Sequence, residues 1–159
     1  MIRETLKRGE TYELPSSGVS MKPLNSPYGW TLVTHWPFEF VQPDMVVLFE
    51  IEGIGQVSHQ VKKINRYPSF FARLLGAKKL PPHKWTLSTR GVNPMLSWDP
   101  WTVKKSQYVG LVFGTTDGMY PYAEAALKYN EIKDIVELTP NPLNAKFFSK
   151  KLIKNTKIA

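Results

Sequence analysis

Ser20 lies in a short glycine-containing loop, SSGVSMKP, that ends at Pro23, and its hydroxyl is a candidate nucleophile. A serine hydroxyl attacks a carbonyl carbon efficiently only when a neighbouring base removes its proton. The chain has no cysteine and three histidines, His35, His59 and His83, so histidine is the first base to consider. Without a base, Ser20 is a turn serine that hydrogen-bonds its own backbone. The elements that carry the histidines therefore decide what Ser20 can do.

His59 has the most informative setting, because it lies in the middle of a strand pattern, GQVSHQVKKI, over residues 55–64. Successive side chains of a strand point to opposite faces, so His59 shares a face with Val57 and Val61. Two interpretations stay open: a catalytic base, or a hydrogen-bonded histidine of the core. Lys62 and Lys63 are alternative bases only if the register shifts, since Lys62 faces away from His59.

The segments around His59 predict a mostly β domain. Short runs of β-branched and aromatic residues, broken by Pro, Gly and Asn, extend from residue 31 to residue 112. They read TLVTHW, MVVLFEI, GQVSHQVKKI, KWTLST and YVGLVFG. We therefore expect residues 1–114 to form one β domain.

A helical pattern begins after Gly114. Ala125, Tyr129, Ile132 and Val136 recur at the spacing of one helix face. A second, shorter helix is predicted over 143–153. Residues 115–159 are thus expected to be a helical, basic C-terminal extension of the β domain and not a separate domain.

The charge of the chain limits its partners. The net charge is +8, and residues 142–159 contain five lysines and no acidic residue: Lys146, Lys150, Lys151, Lys154 and Lys157. Such a tail is typical of a solvated basic surface, with nucleic acid, an anionic membrane and an acidic protein as the other interpretations. No run of 18 apolar residues and no signal-peptide pattern occurs, so we expect a soluble, cytoplasmic protein without a transmembrane anchor. Nothing in the sequence indicates a specific nucleic-acid-reading module.

Five short segments resemble, in order, the conserved boxes of type I signal peptidases and the related LexA-type self-cleaving repressors. SSGVSMKP resembles the serine box, and QPDMVVLFEI is similar to the following box, in which a Gly-Asp pair opens a strand. VSHQVKKI resembles the base-carrying strand of the branch that uses histidine instead of lysine. LSTRGVNP and YVGLVFG resemble the two later boxes. The resemblance covers roughly residues 15–114 and implies a signal-peptidase-like β fold.

This resemblance implies catalytic roles for three residues. Ser20 would attack the scissile carbonyl, and His59 would accept its proton as general base and later donate it to the leaving amine. Asp99, in SWDPW, falls near the acidic residue that supports the base in the histidine branch. The implied centre is a Ser-His dyad that needs no metal and no cofactor.

Further residues would surround that centre. Backbone N–H groups near Ser20, together with the hydroxyl of Ser16 or Ser17, would stabilise the oxyanion, and Met21 would line the substrate site. Met21 has the simpler interpretation of a core residue. Val92 departs from the family pattern, because it stands where the family has an aspartate after glycine.

Two functions are consistent with these features. The first is a soluble serine endopeptidase that cleaves an extended polypeptide, of the kind expected on a phage, plasmid or other mobile element. The second is a catalytically retired peptidase fold that serves as a structural part of an assembly such as a phage virion, with protein partners bound through the C-terminal extension. Val92 favours the second, as do four tryptophans expected to be exposed for contacts with protein partners: Trp30, Trp36, Trp98 and Trp101.

Overall fold

The computed structural model describes residues 2–16, 20–21, 29–93, 95 and 97–138, and the side chains among them up to residue 131. Within these ranges eight strands form one antiparallel sheet. The strands are β1 (Tyr12–Ser16), β2 (Gly29–Thr34), β3 (Val46–Ile51), β4 (Gly55–Asn65), β5 (Thr86–Arg90), β6 (Thr102–Lys104), β7 (Tyr108–Thr115) and β8 (Gly118–Met119). The helices are α1 (Ile2–Lys7), α2 (Phe70–Leu74) and α3 (Ala123–Leu138), with 3-10 turns at Phe38–Phe40 and Pro82–Lys84.

The strand order places β4 and β5 side by side, and both strands contribute to the candidate site. The order is β1-β2-β7-β3-β4-β5-β6, and β8 pairs with β7 outside this path. β1 contains Pro15 and lies at one end of the path, where a residue without a backbone N–H is tolerated. β3 and β4 form a hairpin in which Val47 pairs with His59.

The sheet is covered on both faces, because alternate side chains of β3 pack into two different apolar clusters. Val47 and Phe49 belong to one apolar cluster, while Val46 and Leu48 belong to another. Helix α3 contributes buried residues to the first cluster, and α1 contributes Leu6 to the second. Every residue of β7 is buried, as expected for a strand in the middle of a sheet that is covered on both sides.

The mostly β class predicted from the sequence is confirmed. All five predicted strand segments overlap strands of the sheet, and the predicted helix is α3. The sheet continues beyond the expected limit at residue 114, because β7 ends at Thr115 and β8 pairs with it at Gly118–Met119, and α3 packs against β7. The second predicted helix and the five-lysine tail lie outside the described residues.

The prediction that Trp36 is exposed is wrong. Its side chain is 1% exposed and belongs to the apolar cluster that α3 covers. The indole lies edge-on to the ring of Tyr129, with ring centroids 5.3 Å apart. Trp36 lies two residues beyond the end of β2, in the space between the sheet and α3. Trp30 and Trp98 are about half exposed, and Trp101 is partly buried.

Tyr122, just before α3, attaches the helix to the sheet, and we expect Tyr122→Phe to destabilise the fold. Its buried hydroxyl donates to the carbonyl of Val112 at 2.8 Å and accepts from the N–H of Val46 at 2.9 Å. Phenylalanine would leave both backbone groups buried without this partner, at a cost of about 1–3 kcal/mol in the free energy of unfolding. The midpoint of urea unfolding at pH 7 should therefore fall. An unchanged midpoint would contradict this role.

The same hydroxyl predicts how the stability difference between wild type and Tyr122→Phe depends on pH. Burial raises the pKa of Tyr122 well above its ordinary value of 10.0. Because the pKa is raised in the folded state, the stabilisation by Tyr122 is fully present below pH 10 and declines as the pH rises further. The stability difference between wild type and Tyr122→Phe should accordingly narrow above pH 10.

None of the helices in the described part of the chain is long and apolar enough to cross a membrane.

Candidate active site

His59 and Asp99 form a buried pair at the centre of the candidate site. His59 lies in the middle of β4, on the face that it shares with the buried Val61, as the alternation predicts. Its Nδ1 lies 2.7 Å from Oδ2 of Asp99, and both side chains are about nine-tenths buried. The ring of Phe49 packs edge-on against the imidazole, with centroids 6.4 Å apart. The imidazole is therefore held in place on two sides.

This pairing determines which imidazole nitrogen can act as a base. A carboxylate only accepts hydrogen bonds, so the proton of neutral His59 is on Nδ1 and is donated to Asp99. Nε2 is then left with its lone pair and can accept a proton. A carboxylate-imidazole pair of this kind orients the base and stabilises the imidazolium that forms when it takes up a proton.

Asp99 is itself held by β5, through Thr89. The hydroxyl of Thr89 donates to the same Oδ2 at 2.6 Å, and the backbone N–H of Asp99 donates to the carbonyl of Thr89 at 3.2 Å. Thr89 pairs with Val61 on β4, so its side chain lies on the same face of the sheet as His59. The 97–101 segment is thus fixed where its carboxylate reaches the imidazole.

Gly91 brings Ser20 to this face of the sheet. Arg90 pairs with Gln60, so the next residue along the chain, Gly91, comes opposite His59. A Cβ on Gly91 would lie 3.0 Å from the Cβ of Ser20 and 2.6 Å from its carbonyl oxygen.

Two further contacts hold the Ser20 segment against β5. The backbone N–H of Asn93 donates to the carbonyl of Ser20 at 2.8 Å. Met21 is buried in the apolar cluster on the opposite face of the sheet, and Val92 packs against the same cluster. The apolar residue at position 92, which departs from the family pattern, therefore contributes to the packing next to Ser20. Met21 is therefore a core residue, which was the simpler of its two interpretations from the sequence.

The other residues predicted for this site have different environments. Ser16 ends β1, and its hydroxyl shares a 2.5 Å hydrogen bond with the hydroxyl of Thr31 on the neighbouring strand. Ser17 lies outside the described residues. Lys62 donates from Nζ to the side-chain oxygen of Gln60, on the face away from His59, and Lys63 is exposed. A bulge separates Val61 and Lys63 in the pairing with β5 without moving His59 from its face.

Thr89 and Gly91 are the site residues that the sequence reasoning missed. Both belong to LSTRGVNP, which was singled out only for its resemblance to a family box. Strand alternation from the buried Leu87 would have placed Thr89 and Gly91 on one face, next to the strand of His59. The role of Gly91 depends on the approach of a distant segment, and strand alternation alone does not show it.

Ser20, His59 and Asp99 are therefore brought to one end of the β4–β5 pair, while the hydroxyl of Ser16 is engaged within the sheet. No family model, curated protein or solved structure matches this chain.

Proposed function

We propose that this protein is a serine peptidase in which Ser20 is the nucleophile and His59 is the general base. The observation that carries the proposal is the Nδ1–Oδ2 hydrogen bond between His59 and Asp99 on the face where Ser20 packs against Gly91. Nucleophile, base and orienting carboxylate are the parts that acyl transfer by serine requires. The resemblance to the histidine branch of the signal-peptidase family assigns the same roles to the same three residues.

The proposed reaction has two stages. In the first, Oγ of Ser20 bonds to the scissile carbonyl carbon as its proton passes to Nε2 of His59, and Asp99 stabilises the imidazolium. His59 then gives that proton to the leaving amine as the C–N bond breaks, which leaves an acyl ester on Ser20. In the second stage, a water molecule gives a proton to Nε2 of His59, and the oxygen of that water bonds to the acyl carbon. The ester bond to Ser20 then breaks, and Oγ takes the proton back.

The surroundings of the pair favour a polypeptide substrate. Met95 and Trp98 precede Asp99 closely in the chain, and they are 91% and 51% exposed. Large apolar side chains next to a catalytic centre are suited to contact side chains of an extended peptide, while main-chain hydrogen bonds hold its backbone. The proposed substrate class is therefore an extended polypeptide segment with apolar residues near the cleaved bond.

Acylation of Ser20 tests this proposal directly. We expect an activated ester probe to label the wild-type protein on Ser20, as mapped by mass spectrometry of its peptides, and Ser20→Ala to remove that label. His59→Ala should also remove it, because the hydroxyl is a weak nucleophile without a base. Ser58→Ala is the matched control, since Ser58 precedes His59 on β4 but points to the other face.

Two results would contradict the proposal. One is a folded wild-type protein that stays unlabelled at Ser20, and the other is a His59→Ala variant that is labelled as fast as the wild type. Either result would favour the retired peptidase fold with a structural role.

A further inference from the structure

The positive charge of this protein is concentrated in one stretch of the chain that the peptidase proposal does not use. Between Glu52 and Asp99 there is no acidic residue, and the basic residues alone bring a charge of +8, equal to the net charge of the whole chain. The eight residues are Lys62, Lys63, Arg66, Arg73, Lys78, Lys79, Lys84 and Arg90. Five of them lie in the connection between β4 and β5, over residues 66–85.

The same connection exposes a group of large apolar side chains around α2. Phe70, Phe71, Leu74 and Leu75 are 66%, 74%, 66% and 88% exposed. We call these four residues the apolar ridge. Isolated exposed apolar residues are ordinary on protein surfaces, but a contiguous group usually marks an interaction site. Ser69 caps α2 by accepting from the N–H of Ala72, so the ridge is presented on a short ordered helix.

A cationic cavity adjoins the apolar ridge. Its volume is about 510 Å³, and its lining includes Lys63, Arg66, Arg73 and Lys79 together with Phe70 of the ridge. No acidic residue lines it. An anionic group entering this cavity would therefore meet positive charge without competition from a neighbouring carboxylate.

Aromatic rings hold three of these cations next to the cavity. The guanidinium of Arg66 lies 4.9 Å from the centre of the Trp85 ring, and Nζ of Lys79 lies 5.1 Å from the same ring. The guanidinium of Arg73 lies 5.1 Å from the ring of Tyr67. None of the three cations has an acidic partner within the connection, so their charge remains available to an anion.

We propose that the β4–β5 connection docks this protein onto an anionic phospholipid bilayer. The apolar ridge enters the interface between head groups and acyl chains, and the surrounding cations bind lipid phosphates, with the cavity accepting one head group. Apolar insertion and attraction to anionic lipid are the two contributions that hold peripheral proteins at membranes. A nucleic acid would satisfy the cations but would leave Leu74 and Leu75 exposed to water, so the ridge favours lipid.

The opposite end of β4 indicates how the protein would be oriented. There the β3–β4 hairpin carries an exposed Ile54 close to Glu52, while Arg3 pairs with Glu50 at 3.3 Å, so that end lacks the positive charge of the connection. Asn65, where the connection begins, is six residues beyond His59, or about 20 Å along the strand. Docking would thus hold the candidate active site about 20 Å from the lipid. The docking proposal is independent of the peptidase proposal.

Vesicle flotation of the full-length protein tests the docking. We expect it to float with vesicles of phosphatidylcholine and phosphatidylglycerol and to stay behind with phosphatidylcholine alone. The double variant Phe71→Ser/Leu75→Ser should bind the mixed vesicles at least about tenfold more weakly, because it removes the two most exposed side chains of the ridge. Lys78→Glu/Lys79→Glu should weaken binding by a similar factor at low salt and make it less sensitive to added salt.

Ile54→Ser is the matched control, since it removes an exposed apolar side chain at the acidic end of β4 and should bind as the wild type does. All four substituted residues of the two double variants are exposed, so thermal unfolding should show that both variants remain folded.

Four results would overturn the docking proposal. The first is equal binding to neutral and anionic vesicles, and the second is no binding to either at low salt. The third is full binding by Phe71→Ser/Leu75→Ser, which would place the contact elsewhere, for example on the lysine tail. The fourth is that the wild type binds a single-stranded oligonucleotide but not the mixed vesicles, and that Lys78→Glu/Lys79→Glu binds the oligonucleotide more weakly.

Discussion

Asp99→Asn is expected to slow the acylation of Ser20 by about 10⁴-fold while leaving the protein folded. In the wild type, Oδ2 of Asp99 accepts from both His59 and Thr89. Because one oxygen accepts both bonds, an asparagine that places its NH₂ group there would donate to Nδ1 of His59, with the hydroxyl of Thr89 turned to accept. Nδ1 would then accept, the imidazole proton would move to Nε2, and His59 could no longer take the proton of Ser20.

The rate of ester-probe incorporation at Ser20 measures this effect, and Thr89→Val provides the comparison. Valine removes one of the two hydrogen bonds to Asp99 but keeps the carboxylate and its bond to His59. Thr89→Val should therefore lose much less activity than Asp99→Asn, by about tenfold, since it alters only the position of the carboxylate. If both variants lose activity equally with a matching loss of thermal stability, Asp99 would have a structural role only.

The strand that carries His59 could be predicted from the sequence, because its pattern is local. His59 alternates with Val57 and Val61, and period-two alternation depends only on neighbours along the chain. The pairing of His59 with Asp99 joins residues 40 positions apart. The pairing of these two residues was expected only from the family resemblance, because the local strand pattern carries no information about contacts between distant residues.

The burial of Trp36 shows a second limit of the sequence. Trp36 ends the predicted strand segment TLVTHW and was expected to be exposed for contacts with protein partners, and the sequence gives no sign of what covers it. In the structure, Tyr129 of α3 covers it, 93 residues further along the chain. Long-range packing of this kind depends on where α3 meets the sheet, and the periodicity of the helix does not specify that position.

Two basic stretches are visible in the sequence. One holds the five lysines after residue 142, and the other is residues 53–98, which contain eight basic residues and no acidic one. The functional interest of that stretch also depends on the exposure of Phe71 and Leu75, which the sequence does not reveal. In a sequence, a run of Phe and Leu indicates a core segment more often than a surface, so only the fold distinguishes the two.

Gly91→Ala is expected to slow the acylation of Ser20 by about 100-fold, because it would move the nucleophile away from the base. The added Cβ would lie 2.6 Å from the carbonyl oxygen of Ser20 and 3.0 Å from its Cβ, which is closer than such atoms approach. The backbone of Gly91 has no positive φ, so alanine is compatible with its conformation. The strain is therefore relieved by displacing the Ser20 segment. A displacement of about 1 Å is enough for a loss of this size.

Gly110→Ala distinguishes a local displacement from general destabilisation. Its Cβ would lie 2.8 Å from the carbonyl oxygen of Thr34 and 2.9 Å from the side chain of Leu6, inside the core and on a different strand from the site. Gly110→Ala should therefore lower the melting temperature, and its folded fraction should still acylate at the wild-type rate. Gly91→Ala should show the reverse, a nearly unchanged melting temperature with slow acylation. Wild-type acylation by folded Gly91→Ala would mean that the contact between Gly91 and Ser20 does not position the nucleophile.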